Sequence, residues 1–257
     1  MFNRKLRINK VYRPYPQQAQ LLSYLGTGET IFLGGQKGSG KTHALLVGAV
    51  AVATQYPGIE VVLIMRHAKG WYARLTDMLP PKTIQTRWVR DLRVRLRNGS
   101  EIIFPSLLNA RGLLADCVFV DNANELSMED IHRLSNVARG GKYADIQRER
   151  YSKTISDIEE AVRYIHSEIR RKIKLFWRRL RGRIFLPTLV YAGSRGEISD
   201  EYFQENFVNE SRPEGHIYIS LKLKDSYIWE NNPHFVQWLQ DGNISEEYHE
   251  MWIKNSW

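Results

Sequence analysis

The chain has 257 residues, enough for one large domain or for a domain with a small lid. Hydrophobic residues make up 43% of it, which excludes a disordered chain, and 37 Lys and Arg against 28 Asp and Glu leave a net charge of +9. That excess suits a polyanionic partner such as nucleic acid, or belongs to a merely basic surface. The single cysteine, Cys117, excludes an internal disulfide; it lies in the apolar run 117–120 and reads as a buried, inert thiol. The seven histidines are scattered without ligand spacing, so no zinc site is expected. The longest apolar run, 44–53, is about half of a bilayer span. No apolar segment backs the charged first residues, so no membrane partner and a cytosolic setting are expected.

Taken in chain order, Pro14 and Pro16 followed by Gln17-Gln18-Ala19-Gln20-Leu21-Leu22 predict an extended entry and a short helix. Ile31-Phe32-Leu33 predicts a strand. Gly35-Gln36-Lys37-Gly38-Ser39-Gly40-Lys41-Thr42 then matches G-x-x-x-x-G-K-[ST], and the Ala-, Leu- and Val-rich stretch 42–53 predicts a buried helix. Strand, glycine loop and helix together make a phosphate-binding loop. Its glycines let several N–H groups turn toward phosphate oxygens, and the helix adds its positive end. Lys41 would reach the β/γ-phosphates of a nucleotide, and Thr42 would place its hydroxyl on Mg²⁺.

A second strand is expected at Val61-Val62-Leu63-Ile64-Met65, whose unbroken apolar character suits burial on both faces. Leu92, Val94 and Leu96 alternate with Arg93, Arg95 and Arg97, and Asn98-Gly99 leads into Glu101-Ile102-Ile103-Phe104, a hairpin signal. The arginines of one face are either solvated or a polyanion contact. Cys117-Val118-Phe119-Val120 predicts a further buried strand with Asp121 at its end, and Ser127-Met128-Glu129-Asp130 opens a helix with a capping serine and acids in its first turn. Residues 145–181 predict a long helix, with Ile158, Val162, Ile165, Ile169, Ile173 and Phe176 on one stripe. Its last third carries Arg170, Arg171, Lys172, Lys174, Arg178, Arg179 and Arg181 beside Trp177, which reads as a nucleic-acid or subunit contact, or as cations suiting the helix dipole. Strands are expected again at 186–194, ending in small residues, and at 216–221, with a short aromatic helix from Pro233. Alternation of strands and helices after a phosphate loop points to an α/β, doubly wound, mainly parallel sheet with helices on both faces.

A phosphate loop needs a second acid at the end of a neighbouring strand to hold Mg²⁺, and Asp121 is placed for it. The next residue is Asn122, whose amide can hold a water but cannot take its proton. Glu125, three positions beyond Asn122, is either a helix N-terminal acid or a general base one helical turn from the phosphate.

With these residues in view, the chain resembles the ATPase domain of the large terminase subunit of tailed bacteriophages, a DNA-packaging motor. Pro14-Tyr15-Pro16-Gln17-Gln18 is similar to the family's adenine-reading segment, with Gln18 the reader. Residues 34–42 resemble its phosphate loop, and Leu63-Ile64-Met65-Arg66 the strand and arginine that follow. Asn98–Phe104 is similar to a hairpin common there, and Arg111-Gly112-Leu113 to the Arg-Gly before the Mg²⁺ strand. Val120-Asp121-Asn122-Ala123-Asn124-Glu125 resembles Asp-Glu-Ala-Asn-Glu, and Tyr191-Ala192-Gly193-Ser194 the coupling motif, with Ser194 its hydroxyl.

The resemblance implies a P-loop NTPase of the ASCE type with a C-terminal lid, divided here as an ATPase core at 1–195 and a lid at 196–257. It implies ATP and Mg²⁺ as ligands, with Gly35, Gln36, Lys37, Gly38, Ser39, Gly40, Lys41 and Thr42 around the phosphates and Thr42 and Asp121 on the metal. Arg111 would act in trans on a neighbour's ATP. Double-stranded DNA, a homo-oligomeric ring, a portal and a small terminase subunit are the implied partners, in a host cytoplasm. Two departures stand out. Asn122 occupies the family's catalytic glutamate position, and the acid-rich nuclease domain of the family has no counterpart in these residues, so no nuclease activity is expected. Two rivals accompany the motor: an assembly module that binds nucleotide without hydrolysing it, and a helicase or other DNA translocase on the same fold.

Overall fold

The phosphate-loop strand β1 (Thr30–Gly35) lies inside a sheet of eight strands, with β7 (Thr188–Gly193) on one side and β8 (His216–Leu221) on the other. The computed structural model describes residues 15–110, 112–138, 185–194 and 198–240. The sheet runs β3-β4-β5-β2-β6-β7-β1-β8. Here β2 is Glu60–Ile64, β3 Ile84–Trp88, β4 Arg93–Leu96, β5 Glu101–Ile103 and β6 Cys117–Val120. From β5 to β8 every pairing is parallel, and β3 and β4 extend that sheet as antiparallel strands. This is the expected α/β, mainly parallel architecture, with β7 interposed between the phosphate-loop strand and the strand that leads into Asp121.

The central strands are apolar throughout because both faces are covered. Ile31, Leu33, Val61, Leu63, Cys117, Phe119, Val190 and Ala192 pack on one side with α1 (Pro16–Tyr24), α2 (Lys41–Gln55) and α3 (Ala68–Met78). Their neighbours Phe32, Val62, Ile64, Val118, Val120, Leu189 and Tyr191 pack on the other with α4 (Met128–Val137), Phe203 and Phe207. Phe32 stacks on Phe203 with ring centroids 4.4 Å apart. The thiol of Cys117 is fully buried, and loss of solvation pushes its pKa well up, in line with an inert role.

Ser127 caps α4, its hydroxyl accepting from the Asp130 N–H. The hairpin turns at Asn98-Gly99 as the sequence predicts. Among the elements that the sequence did not signal are β3 and α3. β3 is an edge strand whose residues are mostly half-buried or exposed, so it shows no apolar run. α3 buries only Tyr72, Leu75 and Thr76 and shows a narrow stripe. The predicted long helix at 145–181 lies outside the described residues.

One expected boundary needs correction. β8 belongs to the 196–257 stretch assigned to the lid, yet it pairs with β1 along its whole length, from Thr30↔His216 to Gly35↔Leu221. The sheet therefore extends at least to Leu221, and the core cannot end at residue 195. The last pair of that ladder is tight. Gly35 has φ +144, and a Cβ there would lie 2.0 Å from the Leu221 carbonyl oxygen. Because the obstacle is backbone, Gly35→Ala forces strand and loop apart and costs roughly 2–4 kcal/mol. Gly215 also has a positive φ, +82, but a Cβ there meets nothing within 4 Å, so Gly215→Ala carries only the backbone strain of about 1 kcal/mol. Urea unfolding of the two variants should separate them by at least about 1 kcal/mol in that order; equal losses would remove the steric account.

Candidate nucleotide site

The loop from Gly35 to Thr42 leaves the C-terminal end of β1 and enters α2 through Gly40, whose φ of +87 is left-handed. Ligands of open α/β sheets sit at such strand ends. Lys41 is only 9% exposed, and its ammonium needs oxygen partners there. It finds two in its own loop, donating to the Gly35 carbonyl at 2.8 Å and the Gln36 carbonyl at 2.7 Å. Desolvation lowers its pKa to about 8; nearby Asp121 opposes that fall and Lys37 adds to it.

Asp121 follows β6, two strands away from the loop. The Thr42 hydroxyl crosses the intervening end of β7 and lies 3.1 and 3.0 Å from the two Asp121 carboxylate oxygens. Burial raises the pKa of Asp121, while the Thr42 hydrogen bond and the Lys41 charge hold it down. Lys41, Thr42 and Asp121 thus meet at one place.

ATP and Mg²⁺ fit this donor set. Within the loop, the Ser39 hydroxyl is buried without a hydrogen-bond partner, an unused polar group next to Gly40 and Lys41 in the chain. Mg²⁺ bound by one hydroxyl and one carboxylate, with phosphate and water completing its shell, needs no larger acid cluster. Among the described residues there is none.

Gln18 is 5% exposed. Its side-chain oxygen accepts from the Tyr15 N–H at 3.2 Å, and its amide nitrogen lies 3.4 Å from where a Cβ on Gly40 would stand. The base-reading candidate therefore abuts the phosphate loop. The Gln36 side-chain oxygen accepts from the Leu223 N–H at 2.8 Å, joining the loop to the chain after β8. Lys37 is exposed.

Beyond Asp121 the chain does turn helically, over Ala123–Glu125. Asn122 enters that turn at φ +50, ψ +43, a left-handed conformation that Asn tolerates better than most side chains. Glu125 pairs with Arg66 at 3.3 Å, in an exposed contact worth about 0–1 kcal/mol. Sequence reasoning missed Asn124. This residue is 3% exposed, and its amide grips the Ser194 backbone from both sides: Nδ2 donates to the Ser194 carbonyl, and the Ser194 N–H donates to Oδ1 at 3.3 Å. A Cβ on Gly193 would stand 2.6 Å from Asn124 Oδ1, so the small residues ending β7 make room for it. Those small residues were the available signal. Arg111 and the basic stretch 170–183 lie outside the described residues.

No protein-family model matches the sequence, and a search of curated proteins finds no match. Solved structures do match. The large terminase ATPase domain of Thermus phage P74-26 aligns with a TM-score of 0.58 and 14% identity, over 93% of this chain and 92% of that one. The large terminase of a second thermophilic bacteriophage, in complex with ATP-gamma-S, aligns at 0.60 and 8% identity, over 94% of this chain and 52% of that one. The chain thus spans about half of that second terminase.

The depressed Lys41 pKa fixes a sign. Between about pH 8 and the ordinary 10.5, the folded chain has released a proton that the unfolded chain still holds. The unfolded state binds more protons there, so stability contributed by this residue rises with pH across the window. Nucleotide-free wild type should gain stability relative to Lys41→Met on going from about pH 8 to about pH 10, read by urea unfolding. A pH-independent difference would mean an unshifted lysine. The described residues have the fold of the large terminase ATPase domains.

Proposed function

We propose that this chain is the ATP-hydrolysing motor domain of a viral DNA-packaging terminase, driving double-stranded DNA into a capsid. The observation that carries the reading is the Thr42 hydroxyl on the Asp121 carboxylate beside buried Lys41. A hydroxyl, a carboxylate and an amine converging at the ends of β1 and β6 are what a Mg²⁺-nucleotide requires. The shared fold with large terminase ATPase domains, one of them solved with ATP-gamma-S, supports the same choice.

In this reading Lys41 leaves the Gly35 and Gln36 carbonyls for the β/γ-phosphates, and the Ser39 hydroxyl finds its partner there. Gln18 reads the base. Thr42 and Asp121 hold Mg²⁺, which when bound neutralises charge on the transferring phosphoryl group. Asn122 orients the attacking water, and Glu125, freed from Arg66, accepts its proton. Arg111 supplies transition-state charge to a neighbouring subunit in a ring. Asn124 transmits the state of the acid turn to Ser194 and onward to the C-terminal segment. The basic stretch 170–183 faces DNA or an adjacent subunit, and a portal and a small terminase subunit are the further partners.

A second reading, a nucleotide-dependent assembly module without turnover, is favoured by Asn122 itself. Lack of a general base costs about 10²–10⁴ in rate. Steady-state ATP hydrolysis, measured at low and high protein concentration with and without duplex DNA, decides between them. The motor predicts turnover that rises with concentration, loss of nucleotide binding or turnover in Lys41→Ala, and a fall of about 10² or more in Glu125→Ala. Wild type that binds ATP silently, with turnover appearing in Asn122→Glu, establishes the module instead. Unchanged affinity and rate in Lys41→Ala would dismiss the site.

A further inference from the structure

The antiparallel extension of the sheet has two unlike faces. Val94 and Leu96 of β4 are buried with Tyr72 and Leu75 of α3. The opposite face carries Arg93 and Arg95, and by alternation Arg97 just past the strand end. Register places Trp88 opposite Arg93 and Thr86 opposite Arg95 on that same face. It is open: Trp88 is 36% exposed, and the Arg93 and Arg95 side chains are 42% and 48% exposed. At the hairpin tip, Val89 is 60% exposed and Arg90 and Asp91 are exposed as well.

Charge on this face is only partly compensated. Arg93 and Arg95 share one carboxylate, Glu101, and Arg90 and Arg97 appear in none of the ion pairs found among the described residues. Trp88 holds Arg93 in place, with the guanidinium carbon 5.4 Å from the ring centroid. An arginine already stacked on one face of that ring leaves that face unavailable to an unpaired base. Alternate residues of a strand stand about 6.8 Å apart, close to the separation of neighbouring phosphates on one nucleic-acid strand. A row of arginines at that interval suits a phosphodiester backbone, whose contacts carry no base information.

We propose that the open face of the β3–β4 hairpin is a duplex-DNA backbone site, separate from the nucleotide site. Taking duplex DNA as the polyanion rests on the motor reading above. Binding here is sequence-independent and weakens steeply with salt through counterion release.

The test is fluorescence anisotropy of a short labelled duplex titrated with the full chain between about 50 and 200 mM salt. The triple variant Arg90→Ala, Arg95→Ala, Arg97→Ala should bind at least about tenfold more weakly at low salt, and the slope of log affinity on log salt should flatten by about 1 per arginine removed. Glu101→Gln, which releases Arg93 and Arg95, should tighten binding and steepen the slope, a change of opposite sign that a merely damaged fold does not produce. An unchanged slope in the triple variant, weaker or unaltered binding by Glu101→Gln, or no duplex binding by wild type overturns the proposal. Affinity for a fluorescent ADP analogue, measured on the same samples, reports on the nucleotide site alone. Its absence in wild type refutes the motor reading and leaves the salt slopes to judge the hairpin.

Discussion

A buried ammonium organises this molecule. Lys41 sits at the end of an apolar sheet, where a charge without oxygen partners would cost several kcal/mol. The loop must therefore wrap back so that the Gly35 and Gln36 carbonyls face it. That wrap passes against the Leu221 backbone, which only glycine permits at position 35. It also sets the start of α2, so that Thr42 projects toward Asp121. Fold and site are in this sense one problem: the strand order β6-β7-β1 gives the separation that a hydroxyl and a carboxylate can bridge.

Much of this was legible in the sequence. β1, β2, β6 and β7 are short apolar runs because each is buried on both faces, and that pattern survives without any knowledge of partners. Lys41, Thr42 and Asp121 could be named because a phosphate site demands those groups at strand ends. What could not be read depends on who lies beside whom. β8 looked like part of a lid because nothing local says that His216–Leu221 pairs with Thr30–Gly35. Asn124 stood in the Asp121–Glu125 motif without a role, because that role exists only once β7 is known to end next to it. Gln36 is a phosphate-loop residue by its backbone, but that its side chain accepts from Leu223, 187 positions away, has no local signal.

The acid turn shows how one backbone choice conditions the chemistry. Asn122 occupies a left-handed position in which a longer side chain is strained by about 1 kcal/mol or more. Asparagine is thus well suited to this particular turn, independently of what it does with water. The turn then delivers Glu125 toward Arg66 and Asn124 toward Ser194, so a single three-residue helix feeds both neighbouring strands of β6.

The place of β1 in the sheet has a consequence for how the chain is made. Both of its strand partners, β7 and β8, come from beyond residue 187, whereas β1 itself is finished by residue 35. A ribosome releases the phosphate loop long before either strand that flanks β1 exists. Throughout that interval an apolar strand with two unsatisfied edges must wait, in competition with aggregation and with the premature pairing of β2, β5 and β6. Closure across so long a stretch of chain is slow, and the nucleotide site is consequently among the last parts of the molecule to come into being.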